Sequence, residues 1–225
     1  MARKRQSLLP PSYLNRPPLS PEAIQHYAAL GMQSAETLVA KAKLVDGPYD
    51  WTLHKDESEL KIYKQQQQRG GGHHRAGQGR PSRYCGVMHV IGDLDEYIAV
   101  FRNDTTDQAR EWYRRYATDA SIDVAVLHTV SPRHPDRPND STHIKWSVGK
   151  GMLDGLVAKR DFVFLETNVE FKLDGKRAWV RSCRSIDLAG GGFPTTRGSN
   201  SAAAVDPCTT WALSWSNPAD RGTST

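Results

Sequence analysis

RDFVFLETNVEFKLDGKRAWVRSCRSID, residues 160–187, decides how this chain folds. Asp174-Gly175 is a two-residue turn signal, because a type I′ turn needs positive φ at both central positions and Asp and Gly tolerate it. Closing the chain there sets Phe171 opposite Ala178, Val169 opposite Val180 and Thr167 opposite Ser182, then Leu165 opposite Arg184 and Val163 opposite Ile186. Side chains alternate along a strand, so these residues share one face of the ribbon. That face is apolar apart from Thr167, Ser182 and Arg184. The other carries Lys172, Arg177, Glu170, Asn168 and Arg181 and is predicted to be wet near the turn. A long ribbon with one apolar face must cover it with a helix, a second sheet or a ligand.

Working outward, Ser20-Pro21-Glu22 predicts a helix start: Ser as N-cap, Pro at the first helical position, an acid in the first turn. Ile24, Tyr27, Ala28, Gly31, Ala35, Leu38, Val39 and Ala42 then recur at helical spacing on one face. Residues 51–53 and 60–63 read as short strands joined by a turn over 56–59, and residues 84–91 as a third strand. The low-complexity run QQQQRGGGHHRAGQGRPS, residues 65–82, reads as a floppy loop. Helices are predicted over 94–101 and 104–116, strands over 124–130 and 143–148, and a short helix near 152–158. A run of mostly antiparallel strands with helices at the ends makes an α+β fold.

Composition bounds the rest. At 225 residues the chain has room for one domain with tails: a basic, proline-rich arm over 1–19, a domain over 20–198 and a divergent tail over 199–225 that reads as disordered. Hydrophobic residues make up only 38% and the mean hydropathy is −0.62, so a modest core is diluted by polar loops. The net charge of +5 fits an anionic membrane or nucleic acid as readily as plain solubility. Cys85, Cys183 and Cys208 are an odd, scattered set without CxxC, which argues for a reducing compartment and against a disulfide scaffold. No apolar run has the length of a membrane span, and no secretory signal follows Arg3, Lys4 and Arg5. The expected address is cytoplasmic, with membrane-peripheral contact as an extension.

No nucleophile elbow, HExxH, paired-cysteine site or phosphate loop occurs, and His73-His74 lack a third ligand, so no catalytic residue, metal or cofactor is expected. His89 and His128 are the strand histidines read as possible acids or bases, against the plainer reading of edge or packing residues.

Several phrases resemble the START family of lipid-transfer (StAR-related) domains, in wording nearest the START-like proteins of oomycetes. They are PPLSPEAIQHYAALG, WTLHKDESELKIYK, YCGVMHVIGDLDE, HIKW, RDFVFLE and WVRSCRSID, in order from about residue 17 to residue 198. The resemblance implies a helix-grip fold, in which a curved antiparallel sheet wraps a long C-terminal helix around a tunnel for one lipid or sterol. It implies a binding function without chemistry. The family pattern then calls for two further strands and an amphipathic helix. Here residues 188–225 hold Gly190 to Gly192, Pro194, Pro207 and Pro218 and sustain no apolar stripe, so the C-terminal grip helix is expected to be absent.

The expected cavity wall is Trp146, Val163, Leu165, Thr167, Val169, Val180, Ser182, Arg184 and Ile186. The plainer alternative is an ordinary sheet core. Arg184, on an apolar face, reads either as an anchor for a polar head group or as a side chain reaching the sheet edge. Arg160-Asp161 is expected to pair with Lys145. The expected partners are a lipid or sterol and the surface of an anionic membrane, with no nucleic acid. The alternative is a truncated START-like scaffold or sensor that transfers nothing.

Overall fold

The computed structural model describes residues 16–66, 83–117, 121–149, 160–187 and 211–214. The segments 67–82, 152–158 and 188–210, read above as a loop, a short helix and the divergent region, lie outside them. The described residues form an α+β protein in two units, Met1–Glu36 with Leu94–Thr225 and Thr37–Asp93.

The larger unit is built on one antiparallel sheet. Its strands are β4 (Ser121–Ser131), β5 (Ser141–Gly149), β6 (Arg160–Leu173), β7 (Lys176–Ser185) and β8 (Trp211–Ser214), which pair in chain order. β8 falls within the stretch read from sequence as a tail, and its backbone pairs with Ala178 to Arg181. The β6–β7 hairpin turns at Asp174 and Gly175, whose φ angles are 50° and 78°, as a type I′ turn requires. Its register joins Leu165 to Arg184, Thr167 to Ser182, Val169 to Val180 and Phe171 to Ala178. The Ile186 amide donates to the Val163 carbonyl at 3.0 Å, which extends that register by one more pair. β4 shifts register against β5 at three places, and such bulges bend a strand and tighten its twist.

Both faces of this sheet are covered. On one lies the first part of α1 (Pro21–Ala42), capped by Ser20 Oγ, which accepts from the Ala23 amide at 3.2 Å. Tyr27 packs into a core with Ala125, Leu127, Val130, Ile144, Trp146, Val148 and Leu165. Gly31 sits directly on β6: a Cβ at Gly31 would overlap Thr167 Oγ1. Ile24, placed on the apolar side by periodicity, is exposed instead, because the buried stripe runs through Tyr27, Gly31 and Ala35.

The second face carries α2 (Leu94–Val100) and α3 (Thr106–Tyr116). Leu94, Ile98 and Phe101 close over Trp179, with Tyr97 and Trp112 alongside. α3 begins with a capping box: Thr105 accepts from the Gln108 amide, and the Gln108 side chain accepts from the Thr105 amide. This face was expected to be wet near the turn. Arg177 and Lys172 are indeed open to solvent, but Asn168 and Arg181 are buried, because α2 and α3 lie across the middle of the hairpin.

The smaller unit holds the antiparallel meander β1 (Trp51–Glu57), β2 (Leu60–Gln65) and β3 (Tyr84–Met88). β1 runs on through 54–57 and the turn narrows to residues 58–59, with Ser58 at φ 48°. Trp51 Nε1 donates to the Lys41 carbonyl at 3.3 Å, and the Tyr49 ring meets Trp51 edge-on. Leu53, Tyr84, Met88 and Ile91 are exposed.

The contact between Gly31 and Thr167 has a measurable consequence. Gly31→Ala is expected to destabilise the protein by about 1–3 kcal/mol through overpacking. Adding Thr167→Ala, which removes the hydroxyl that the new methyl strikes, is expected to return part of that loss. Urea unfolding of the two single variants and the double variant gives the coupling directly.

Candidate functional site

The residues expected to wall a cavity do come together. Trp146, Leu165, Thr167, Val169, Val180 and Ser182 are buried, Val163 and Ile186 are half-buried, and Arg184 is exposed. Strand pairing joins Trp146 to Val163, Ile144 to Leu165, and Thr142 to Thr167 to Ser182, so all lie on the α1 side of the sheet. The residues across from them are the leading turns of α1, where Tyr27, Leu30 and Gly31 sit. A row of three hydroxyls crosses this face: Thr142 Oγ1 donates to Thr167 Oγ1 at 3.4 Å, while buried Ser182 Oγ has no hydrogen-bond partner among the described residues. Arg184 is not the buried charge that its register suggested. It lies near the end of β7, where its side chain reaches water.

Beneath α2 and α3 lies a second constellation that sequence reasoning missed. Lys145 Nζ donates to Glu166 Oε1 at 2.6 Å, to Asn103 Oδ1 at 2.6 Å and to the Asn103 carbonyl at 3.0 Å. Arg181 Nη2 donates to Glu166 Oε2 at 2.5 Å. All three ionic side chains are at most 5% exposed. The Arg181 guanidinium also lies against the rings of Phe101 and Trp112, at 5.1 and 5.0 Å from their centroids. Lys145 was expected to pair with Arg160-Asp161; its described ionic partner is Glu166, its diagonal neighbour across the β5–β6 ladder. The side chains of Arg160 and Asp161 fall outside the described residues.

The electrostatics of this cluster follow from burial. Burial alone pushes the Glu166 carboxyl up, but Arg181 and Lys145 outweigh it and hold the group well below the usual carboxylate range. Burial pushes the Lys145 ammonium down, against the pull of Glu166. Burial, reinforced by the charge of Lys145, brings the His143 imidazole down to about 4 and keeps it neutral at pH 7. Burial, together with Glu166, lifts the Tyr113 phenol to about 12. The histidines singled out from sequence behave differently. His89 is exposed and lies beyond the end of β3, while half-buried His128 is lowered by burial and by Arg16. A clue to the cluster was present in the strands: each of IKW, LET and VRS sets one charge between two residues that face the α1 side.

A third feature is an open groove of about 710 Å³ between α2, the loop before β5 and the hairpin tip. Arg177 spans it, donating to Asp95 at 2.8 Å and to Glu170 at 2.8 Å, and Asn139 Nδ2 adds a 2.8 Å bond to Glu170. Acids and bases alternate along its walls and pair with one another, so it works as a polar clasp for the hairpin tip. Among the described residues no group of acidic, histidine or cysteine side chains has the geometry to hold a metal ion. No described helix is long and apolar enough to cross a membrane.

Neither family models, nor curated proteins, nor solved structures give a match to this chain.

Removing one member of the buried cluster strands the others. Glu166→Gln is expected to cost about 3–5 kcal/mol at pH 7, read from urea unfolding. The pH dependence separates two groups. Glu166 has a folded value below its unfolded 4.5, so its contribution is present above pH 4.5 and is lost as pH falls below it. His143 falls from 6.5 unfolded to about 4 folded, so stability declines as pH drops from 6.5 and levels off near 4. His143→Gln is expected to flatten the upper window and Glu166→Gln the lower one.

Proposed function

We propose that this chain is a non-enzymatic binding domain that holds one apolar ligand, a lipid or a sterol, against the β5–β6–β7 face in the START-like helix-grip manner. The observation that carries this reading is the continuity of that face. Trp146, Leu165, Val169 and Val180 form an apolar surface across three adjacent strands, with only hydroxyls set into it and a single exposed cation, Arg184, near its edge. An apolar surface broken by a few polar groups is the usual make-up of a small-molecule site. Binding would draw on removal of ligand surface from water, at about 25 cal/mol per Å².

In this reading α1 occupies the gripping position that the family pattern gives to a C-terminal helix. Its residues against the face include Ala23, Ala28 and Gly31 beside the larger Tyr27 and Leu30, so part of the seat is made by small side chains. Small side chains give up little burial when they lift, which lets a larger apolar ligand compete for the face. The basic arm at Arg3 to Arg5 adds weak attraction to anionic membranes, consistent with a membrane-peripheral, cytoplasmic carrier.

One observation favours a second reading, a START-like scaffold or sensor without transfer: Gly31 is already seated on Thr167, so α1 itself covers the face. Incubation with mixed-lipid liposomes followed by native mass spectrometry separates the two. A carrier is expected to retain one lipid per chain and to move lipid between donor and acceptor vesicles. A chain with no lipid adduct and no transfer is the scaffold.

A further inference from the structure

We propose that the open edge of β3 is an interaction surface for a second copy of this chain, the two β3 strands pairing antiparallel about Gly86. A strand edge recruits another strand unless charge, proline, a bulge or shortness blunts it. Among the described residues the other sheet edges are blunted. β1 carries Lys55, Asp56 and Glu57 and shifts register between Leu53 and Lys55. β4 shifts register at three places, and β8 is only four residues long. β3, YCGVM, has no charge, no proline and an unbroken register against β2. Its outward side chains stand open: Tyr84 is 54% exposed and Met88 49%.

The backbone fixes which groups this edge offers. The Gln65 amide donates to the Arg83 carbonyl at 3.0 Å, so that opposed pair is hydrogen-bonded. Bonded and non-bonded pairs alternate along an antiparallel ladder. Cys85 and Val87 therefore turn their amides and carbonyls toward β2, and Tyr84, Gly86 and Met88 turn theirs outward. A second β3 centred on Gly86 meets that outward set without remainder. Gly86 bonds to Gly86 of the second copy, Tyr84 to its Met88 and Met88 to its Tyr84. The side chains match in the same register. Each Tyr84 ring faces a Met88 thioether, a favourable sulfur–aromatic contact, and Cys85 lies beside Val87, apolar on apolar. An uncharged edge gives a charged strand nothing to pair with, whereas its own copy brings no like charges together and closes the contact by a two-fold axis.

Five residues a side make a small contact, so a weak dimer is expected. In sedimentation velocity of the full chain, the mass is expected to rise with concentration from the 25.1 kDa of one chain toward twice that. Tyr84→Lys combined with Met88→Lys sets lysine opposite lysine at exposed positions and is expected to weaken dimerisation about tenfold or more. Val87 stands opposite Cys85 of the second copy as a non-hydrogen-bonded pair, with Cα atoms about 4.5 Å apart, close enough for a disulfide. Val87→Cys under mild oxidation is therefore expected to give a covalent dimer linked through Cys85, located by peptide mass mapping. A one-chain mass throughout overturns the proposal, and a Gly86 amide then shielded from hydrogen exchange assigns the edge to another segment of the same chain. A dimer indifferent to the double lysine variant, with no link through Cys85, overturns it equally. Where circular dichroism shows that the double variant does not fold, the crosslink decides. The contact lies within the smaller unit and is independent of any ligand on the β5–β6–β7 face.

Discussion

The larger unit depends on one constraint, the register of the β6–β7 hairpin. A strand alternates its side chains with a period of two, so a slip of one residue exchanges everything on one face for everything on the other. In the observed register Leu165, Val169 and Val180 meet the core under α1, while Glu166 and Arg181 meet each other under α2 and α3. A single-residue slip would leave Leu165 among the ions or Glu166 against an apolar helix. Asp174 and Gly175 set the register from one end through their positive φ angles. The buried carboxylate helps to hold it in the middle, because an ion stranded in an apolar core is far costlier than one that is paired.

Polar groups within the sheet are handled differently on its two sides. The α1 side uses hydroxyls, which tolerate close approach, and Gly31 takes advantage of this by settling onto Thr167. The α2–α3 side uses full charges and offsets the cost of burying them by pairing both cations with the one carboxylate of Glu166. Lys145 alone makes three hydrogen bonds, two of them to Asn103 just after α2. The short connection between α2 and α3 thus acts as part of the ion cluster as well as a link. The aromatic rings of Phe101 and Trp112 complete its enclosure around Arg181.

The two sides of the sheet differ in chemistry. The α1 side is apolar across three strands, with hydroxyls set into it. The α2–α3 side carries the buried ions Lys145, Glu166 and Arg181. The same alternation of side chains in β6 and β7 generates both faces.

Much of this was legible in the chain itself. The turn at Asp174-Gly175, the pairing of Val163 through Phe171 with Ile186 through Ala178, the capped start of α1 at Ser20-Pro21 and the α+β order of elements rest on local chemistry: turn dihedrals, caps and periodicity. What covers each face was not legible, because it depends on residues far apart in sequence. Nothing local tells Gly31 that it will meet Thr167, or Lys145 that it will meet Glu166. Arg181 read as solvated because a lone arginine in a strand usually is, and only the packing of α2 and α3 across the hairpin buried it. Local propensity thus determined the strands and their register. The choice of partners across the sheet, and with it the placement of every buried charge, belonged to tertiary packing, where desolvation makes a charge find a partner regardless of distance along the chain.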